Sequence, residues 1–377
     1  MPKRSHGEGQ LYKRENGSYT ARVTLDGRRL SKTFRLRREA LKWIETLRGQ
    51  GQQGLTYDSA QTTVSELLER WLRLKAAQSR LSTIESYTRI ARLHIIPEIG
   101  RMPLMELNAA RIQALYDRMA QNGVKNPTIK YTHTVLHGFF SHAKKLGMIG
   151  QNWTEMASVP RRAKREETKV WNENQVNLFL NYMKGDLFYR LAFSTGMRRG
   201  ELLALQWKDL DWASDMLKVQ RQVYRPDGGG YVFQGPKTDR GTRSIRLGHG
   251  LMDALKIQFS RTIPLMQLAA GSSWKNHDLI FPSYQGGPRQ GDAVSKEFHR
   301  LAAAAGLPVI RFHDIRHTAA SIMLLHGEPP VRVAGILGQT VAVLLTTYSH
   351  YIPDSQESTA TLMDSITTVT SISLEKN

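Results

Sequence analysis

The sequence predicts a multidomain α+β protein. A small three-stranded sheet with one helix comes first, a helical bundle follows, and a mixed, mainly α unit with a small antiparallel sheet completes the chain. Alternating apolar and polar residues near the start, apolar residues at helical spacing in the middle, and both patterns together after about residue 168 predict this order. The length of 377 residues also suggests two or three domains.

The first predicted unit spans residues 1–57. Residues 19–25 alternate between apolar and polar side chains, as in a half-buried strand, and an Asp-Gly turn leads to a partner strand at 28–34. Residues 10–14 add a candidate third strand, and a helix follows at 38–48. One face of this sheet is expected to carry arginine and lysine.

The second predicted unit, residues 60–160, is all helical. Thr63 and Glu66 have the capping-box spacing that marks a helix start, and apolar residues follow at helical spacing. Asn108 and Pro127 mark the starts of two further helices. A bundle of four or five helices is the simplest arrangement for this pattern.

The third predicted unit spans residues 168–365, and residues 366–377 are a C-terminal tail. Its predicted helices are 173–184, 186–194, 198–206, 249–263, 292–305, 314–326 and 330–337. Its predicted strands are 216–224, 231–235, 242–247 and 278–282. Strands this few and short predict a small antiparallel sheet inside a mainly helical unit.

The chain is strongly basic, with 53 lysine and arginine residues against 33 aspartate and glutamate residues, a formal net charge of +20. An excess of this size indicates a polyanionic partner, either nucleic acid or an anionic membrane surface. The alternative is a surface that only adds solubility. The basic run with Arg161 and Arg162 suits a linker that lies along phosphates, and equally a solvated connector.

Several classes of protein are excluded or disfavoured. Cysteine is absent, which excludes disulfides, Cys-ligated zinc, iron–sulfur clusters and a cysteine nucleophile. No apolar run approaches the roughly 18 residues of a membrane span, and the N-terminal stretch lacks the apolar region of a signal peptide. No persuasive set of convergent acids suggests a metal site. We expect a cytoplasmic protein without a metal or a cofactor.

Two short segments carry side chains suited to binding an anion or moving a proton. Thr195 and Gly196 form a turn that delivers Arg198 to the start of a helix, where its guanidinium adds to the positive end of the helix dipole. Glu201 lies three residues on, where it can orient Arg198. Lys237 lies in a turn between two strands and can donate a proton. Taken alone, these are also ordinary surface residues.

Two further segments lie near the end of the third unit. His313 and Arg316 are three residues apart and share one helix face, from which they can grip a phosphate. His317 faces elsewhere and is expected to be structural. Gln339 and Tyr348 follow, and Tyr348 taken alone is an ordinary helix tyrosine.

Together, the order Arg, Lys, His-x-x-Arg and Tyr through one mixed domain resembles the tyrosine recombinases, also called phage-type integrases. The resemblance is specific at residues 195–201, 313–318 and 348–350. It extends to the layout of the chain. The resemblance implies an arm-site DNA-binding domain, a helical core-site DNA-binding domain and a catalytic domain at residues 1–57, 60–160 and 168–365 in turn.

The resemblance also implies a role for each candidate catalytic residue. Arg198 and Arg316 would clamp the scissile phosphate, and Lys237 would protonate the leaving 5′-oxygen. Tyr348 would be the nucleophile, with His313 as its general acid/base partner. Attack would give a covalent 3′-phosphotyrosine and a free 5′-hydroxyl, and this exchange of bonds needs neither ATP nor a metal.

The chain departs from the family pattern at two points. Gln339 stands where the family usually has His or Trp; a glutamine can donate a hydrogen bond to the phosphate but cannot carry a proton. The segment from Leu337 to Tyr348 is one residue shorter than usual. One residue turns a helix by about 100°, so the shortening turns Tyr348 away unless the loop absorbs it. Tyr351 is the reserve nucleophile.

The implied partner is double-stranded DNA, at core and arm attachment sites of a phage or mobile element in a bacterial host. A protein that encloses a duplex makes many salt-sensitive phosphate contacts. The candidate DNA-binding residues are Arg22, Arg28, Arg29, Lys32, Arg161 and Arg162. The family acts as a homotetramer, and an accessory DNA-bending or directionality factor is a further candidate partner.

Two other functions remain open at this point. One is a type IB topoisomerase-like enzyme that cleaves and reseals a single strand, which the arm-like first unit disfavours. The other is a DNA-binding or architectural protein of the same fold with impaired catalysis, which Gln339 and the shortened segment favour. A covalent protein–DNA adduct distinguishes the enzymes from the last function.

Overall fold

The computed structural model describes residues 9–25, 27–52, 61–160, 169–236, 241–352 and 366. The chain divides into two compact units, residues 1–165 and 166–377. The three predicted domains, with their boundaries, stay predictions. Three candidate functional residues lie outside the described residues: Arg161, Arg162 and Lys237.

A three-stranded antiparallel sheet and one helix form the beginning of the first unit. Strands β1 (Gln10–Lys13), β2 (Tyr19–Leu25) and β3 (Arg28–Phe34) pair in chain order, and helix α1 (Arg37–Gln52) follows. Alternate residues of the strands pack with α1 in a small core of Ala21, Val23, Leu25, Leu30, Ala40, Ile44 and Leu47. The predicted sheet-plus-helix fold is confirmed.

Two of the candidate DNA-binding arginines lie on the sheet face away from α1. Arg22 in β2 and Arg29 in β3 alternate with the residues that pack on α1, so both extend from the opposite face. Both are exposed. The guanidinium of Arg22 also lies over the ring of Tyr12, 5.1 Å from its centroid. This face therefore combines positive charge with an exposed aromatic ring.

Arg28 and Lys32 lie on the other face. The register pairs Arg28 with Leu25 and Lys32 with Ala21, and both of these partners belong to the core beneath α1. Lys32 also forms an ion pair with Glu106. The prediction that one face carries the basic residues is therefore wrong for Arg28 and Lys32, because successive residues of a strand point to opposite faces.

The rest of the first unit is a helical bundle. Its helices are α2 (Val64–Ala76), α3 (Leu81–Ile90), α4 (Ile96–Ile99), α5 (Ala109–Gln121) and α6 (Asn126–Lys145), and a π-helical stretch, Ala91–Ile95, joins α3 to α4. Thr63 and Glu66 form the predicted capping box at the start of α2. Buried aromatic residues, including Trp71, Tyr116 and Phe139, fill the centre of the bundle.

The second unit is mainly helical, as predicted. Its helices are α7 (Glu173–Tyr182), α8 (Leu187–Thr195), α9 (Arg199–Leu202), α10 (His249–Ile257), α11 (Ile263–Ala270), α12 (Gly291–Ala304), α13 (Asp314–Leu325), α14 (Pro330–Leu337) and α15 (Val341–Tyr348). One small antiparallel sheet contains β4 (Leu210–Asp211), β5 (Met216–Val219) and β8 (Arg243–Arg246); another contains β6 (Gln222–Tyr224) and β7 (Val232–Gln234).

The predicted strand at 216–224 is broken into β5 and β6. The break falls at Gln220 and Arg221, whose side chains both turn to the buried carboxylate of Asp209. The Gln220 amide donates to Asp209 Oδ1 over 2.8 Å, and the Arg221 guanidinium donates to Asp209 Oδ2 over 2.5 Å. These two contacts lie where the chain passes from the first sheet to the second.

Two other predicted elements are shorter in the structure. The helix predicted at 198–206 is a single turn. The strand predicted at 278–282 is reduced to an isolated bridge between Leu279 and Gln206. The Gln206 backbone N–H donates to the Asp209 carboxylate over 2.8 Å, so a new turn begins where the helix was expected to continue.

Trp171 ties the start of the second unit to α13. Its backbone N–H donates to Thr318 Oγ1 over 3.1 Å, and its indole N–H donates to the carbonyl of Pro308 over 2.8 Å. Its ring stacks on Phe193, with centroids 5.8 Å apart. Trp171 is 1% exposed, so it helps to fix the helix that carries the His-x-x-Arg motif.

Within the described residues, no single helix is long and apolar enough to cross a membrane. Among these residues, only α14 and the segment Val341–Tyr351 taken together are as long and as apolar as a membrane span, and the two are bent by 106° relative to each other.

We expect Trp171→Ala to lower the free energy of unfolding by about 3–5 kcal/mol, the usual cost of removing a fully buried large aromatic side chain. Trp212→Ala is the matched control, because that indole is 37% exposed. Urea denaturation followed by circular dichroism measures both. Equal losses in the two variants would contradict the central position of Trp171.

Candidate active site

The turn between α8 and α9 depends on Gly196. This residue has φ of 58° and ψ of 24°, a left-handed conformation that favours glycine. A Cβ at this position would lie 2.5 Å from Leu337 Cδ2. The Gly196 carbonyl also accepts a hydrogen bond from Arg316 Nη1 over 3.0 Å. The turn thus places Arg198 next to the second arginine of the site.

The buried carboxylate of Glu201 holds two arginines. Its Oε1 accepts a hydrogen bond from Arg198 Nη1 over 2.8 Å, and its Oε2 accepts one from Arg243 Nη2 over 2.9 Å. Burial raises the pKa of the Glu201 carboxyl, but the hydrogen bonds and charges of Arg243 and Arg198 outweigh burial and bring that pKa below its usual value. Glu201 is therefore ionised, and it orients the half-exposed Arg198 as the spacing of the two residues predicted.

Arg243, which the sequence reasoning missed, connects three segments around the site. Its side chain is 6% exposed. Besides Glu201, it donates from Nε to the carbonyl of Ile336 over 2.5 Å and from Nη1 to the carbonyl of Gly241 over 3.1 Å. Arg243 could have been found from the alternation in β8, because it lies on the same buried face of the strand as Ile245.

Arg316 is a buried arginine that fixes the orientation of Gln339. Its side chain donates from Nη2 to Gln339 Oε1 over 3.0 Å. Because a guanidinium only donates, the amide oxygen must face Arg316 and the amide nitrogen must point away. That nitrogen, Nε2, is shielded from solvent and has no hydrogen-bond partner among the described residues. The pair therefore offers an N–H group to an acceptor such as a phosphate oxygen.

Arg316 also keeps its charge. Burial lowers the pKa of Arg316 to about 10, and the positive charges of Arg198 and Arg243 act in the same direction, while Glu201 and Tyr348 oppose them. A group with that pKa is protonated at neutral pH. The site therefore holds a buried positive charge beside the half-exposed Arg198.

Tyr348 points into the second unit, toward α13. Its side chain is 3% exposed, and its hydroxyl forms a hydrogen bond with Nδ1 of His317. The expectation that His317 faces elsewhere is therefore wrong. The packing of α15 on α13 brings the two residues together, and spacing along one helix carries no information about that contact.

The loop between α14 and α15 carries the segment that is predicted to be one residue short, and it leads into α15 with Tyr348 buried. Gly338 ends α14 in the left-handed conformation, with φ of 65°, and Thr340 caps α15 through a hydrogen bond from the Val343 backbone N–H over 3.2 Å. Tyr348 consequently faces inward. Tyr351, the reserve nucleophile, lies in the following turn and packs its ring against His350, with centroids 4.2 Å apart.

His313 lies at the open side of the site. It is exposed, and it borders a cavity of about 460 Å³ together with Arg199 and Arg311. Its ring meets the ring of His317 edge-on, with centroids 5.2 Å apart. His317 thus contacts both the His313 ring and the hydroxyl of Tyr348, and the pairing of His313 with the nucleophile stays a prediction.

The structure thus brings together every candidate catalytic residue that it describes. Arg198 and Arg316 are linked through the Gly196 turn and Glu201, and Gln339 bonds to Arg316. Tyr348 is close enough to Arg316 to affect its pKa, and both His313 and Tyr348 contact His317. Lys237 lies outside the described residues.

No group of three or more His, Asp or Glu side chains in the described ranges is placed to hold a metal ion.

Two stretches of the chain match models of known protein families. Residues 169–354 match the model of the phage integrase family, and residues 63–120 match the N-terminal SAM-like domain of phage integrases. The chain belongs to the phage integrase family of tyrosine recombinases.

Relatives of this integrase extend over almost the whole chain. It is 28% identical to a XerC-like tyrosine recombinase of Caldanaerobacter subterraneus subsp. tengcongensis, over 90% of this chain and 94% of the relative. It is 25% identical to the ICEBs1 integrase of Bacillus subtilis, over 94% of this chain and 99% of the relative.

Solved structures show the same fold for the integrase. The Tn1549 transposon integrase in complex with a circular intermediate DNA matches with a TM-score of 0.66 and 21% identity, covering 81% of this chain and 99% of that one. A lambda integrase tetramer bound to a Holliday junction matches with a TM-score of 0.55 and 18% identity, covering 94% and 97%.

We expect Arg243→Ala to destabilise the integrase by about 3–5 kcal/mol, because it leaves the buried Glu201 carboxylate without one of its two guanidinium partners. Arg243→Lys restores a charge but not the three-way donor geometry, so it should recover only part of that stability. Urea denaturation measures the change.

Arg246→Ala is the control for Arg243→Ala, because Arg246 lies on the exposed face of the same strand. Its free energy of unfolding should stay within about 0.5 kcal/mol of the unaltered protein, as is usual for surface substitutions. A loss at Arg243 no larger than the loss at Arg246 would contradict the linking role of Arg243.

Proposed function

We propose that this integrase is a site-specific DNA recombinase that integrates or excises a phage or other mobile element through a covalent 3′-phosphotyrosine intermediate. The observation that carries the proposal is the convergence of Arg198, Arg316 and Tyr348 in one network of a phage integrase family chain. Each of these side chains has a part in exchanging one phosphodiester for another.

The two arginines and Gln339 bind the scissile phosphate. A phosphodiester carries a full negative charge, and more charge develops on its non-bridging oxygens in the transition state. Guanidiniums held in place before the reaction stabilise that charge without reorganising. Gln339 Nε2 has no hydrogen-bond partner within the described part of the chain, which supports it as a third donor at this position.

Tyr348 attacks the phosphorus. The bond from Tyr348 Oη to phosphorus forms as the bond from phosphorus to the 5′-oxygen breaks, and Lys237 is the proposed donor of a proton to that oxygen. In the second step, a 5′-hydroxyl attacks the phosphotyrosine and Tyr348 leaves. The ester energy is kept in the adduct, so the exchange uses neither ATP nor a metal.

DNA contacts are assigned to basic residues of the first unit and the linker. Arg22 and Arg29, on the open face of the sheet, are proposed to contact arm-site DNA, since a small sheet can enter a major groove. Arg161 and Arg162 are proposed to contact phosphates. Arg28 and Lys32 lie on the other face of the sheet and have no place in this contact surface.

The proposed organisation follows the predicted layout. Residues 1–57 bind arm sites, residues 60–160 bind core sites, residues 168–365 catalyse the exchange and residues 366–377 form a tail. The lambda integrase structure is a tetramer on a Holliday junction, which supports a homotetramer here. An accessory DNA-bending or directionality factor and a place in the cytoplasm of a bacterial host complete the proposal.

We expect Tyr348→Phe to abolish covalent adduct formation, because it removes the attacking oxygen while keeping the ring. Supercoiled plasmid carrying the DNA that flanks the gene is incubated with protein and quenched with SDS. A protease-sensitive protein–DNA adduct is then measured on a gel.

Tyr351→Phe is the matched control for Tyr348→Phe and should still form the adduct. If the adduct is lost only in Tyr351→Phe, the nucleophile is Tyr351, one turn after Tyr348. The absence of an adduct in the unaltered protein, together with tight, salt-dependent DNA binding, would favour the alternative of a catalytically impaired DNA-binding protein.

We expect Arg22→Gln and Arg29→Gln each to reduce the slope of log K against log salt concentration by about one, since each removes one positive charge that displaces counterions from the DNA. Lys32→Gln should leave the slope unchanged, because Lys32 lies on the face toward α1 and is paired with Glu106. Fluorescence anisotropy with a labelled duplex measures the slope. An equal change in all three variants would contradict the assigned face.

A further inference from the structure

The contact between His317 and Tyr348 is not explained by binding the phosphate. His317 is 9% exposed, and its Nδ1 forms a hydrogen bond with the hydroxyl that the proposed reaction must deprotonate. The two rings lie at a tilt, with centroids 5.5 Å apart. The contact joins α13 to α15, so it places an imidazole nitrogen on the reacting oxygen itself.

The surroundings of His317 keep its imidazole neutral. Burial lowers the pKa of His317 to about 4, and the charges of His313, Arg311 and Arg316 act in the same direction, while Asp314 opposes them. Tyr348 is the titratable group that faces it from α15. At neutral pH, Nδ1 can therefore carry a lone pair toward the Tyr348 O–H while Nε2 carries the ring proton.

We propose that His317, rather than His313, accepts the proton of Tyr348 when the tyrosine attacks the scissile phosphate. This inference rests on the proposed function, because it assigns a role within that reaction. His313 is exposed, meets the His317 ring edge-on and borders the open cavity, whereas His317 is the histidine that bonds to the Tyr348 hydroxyl.

The proton that His317 takes up in the first step is returned in the second. In the first, the Tyr348 O–H proton passes to His317 Nδ1 while Oη bonds to phosphorus and the 5′-oxygen leaves. In the second, phosphorus transfers to the incoming 5′-oxygen, and Oη recovers the proton from Nδ1. Because burial disfavours an imidazolium here, His317 holds the proton only while Oη is bonded to phosphorus.

The rate of adduct formation against pH tests this role. His317→Asn and His317→Gln keep a polar side chain beside Tyr348 but cannot accept a proton. Without an acceptor, attack requires the phenolate, whose fraction rises tenfold per pH unit below a pKa of about 10. The rate of either variant divided by the rate of the unaltered protein should therefore rise about 100-fold from pH 6.5 to pH 8.5.

The ratio of rates separates proton transfer from a structural role. Other titrating groups, including Lys237, change the rates of both proteins by the same factor, so their effects cancel in the ratio. A smaller folded fraction lowers the rate of the variant by the same factor at every pH. Rates are measured with DNA saturating, after its affinity for each variant is known. His326→Asn is the control, because His326 ends the same helix, is 61% exposed and pairs only with Glu173 among the contacts described; its ratio should stay near one.

A ratio that is constant with pH would overturn the inference, because a lost structural contact slows the reaction equally at every pH. Variants as fast as the unaltered protein would overturn it as well. If the unaltered protein forms no adduct at any pH, the proposed function fails and the inference fails with it. A constant ratio with a normal adduct contradicts the role of His317 alone.

Discussion

One buried carboxylate makes the rest of the site possible. Arg198 and Arg243 are close enough to Arg316 for their charges to lower its pKa, and like charges at this range repel one another. Glu201 offsets that repulsion by accepting hydrogen bonds from two of the three guanidiniums. One negative charge among three positive charges leaves an excess of two, and a phosphodiester would offset one of these and supply oxygens that accept from the guanidiniums.

The same network explains why the site is assembled from distant parts of the second unit. The backbone carbonyls of Gly196, Gly241 and Ile336 accept hydrogen bonds from buried guanidiniums, so each of these segments is positioned by an arginine side chain. Arg243 links β8 to α14, and the loop after α14 carries Gln339. These hydrogen bonds connect the three segments to Arg243 and Arg316, and Arg316 in turn bonds to Gln339.

The features that could be predicted from the sequence are those that depend on residues close together along the chain. The contact of Arg198 with Glu201 follows from three residues on one helical turn, and the sheet beside α1 follows from alternation. The contact of His317 with Tyr348 depends on how α15 packs on α13, which periodicity does not encode. Lys32 was predicted on the wrong face because clustered charge suggested a single basic surface, although strand parity places it toward α1.

The most direct test of the account is to identify the residue that carries the DNA in a trapped adduct. After digestion with trypsin and nuclease, mass spectrometry should find a nucleotide on the peptide that follows Arg332, and fragmentation should place it on Tyr348. The same peptide contains Tyr351, so fragmentation decides between the two tyrosines. A nucleotide on Tyr351, or on any other residue, would contradict a site built around Glu201 with Tyr348 as its nucleophile.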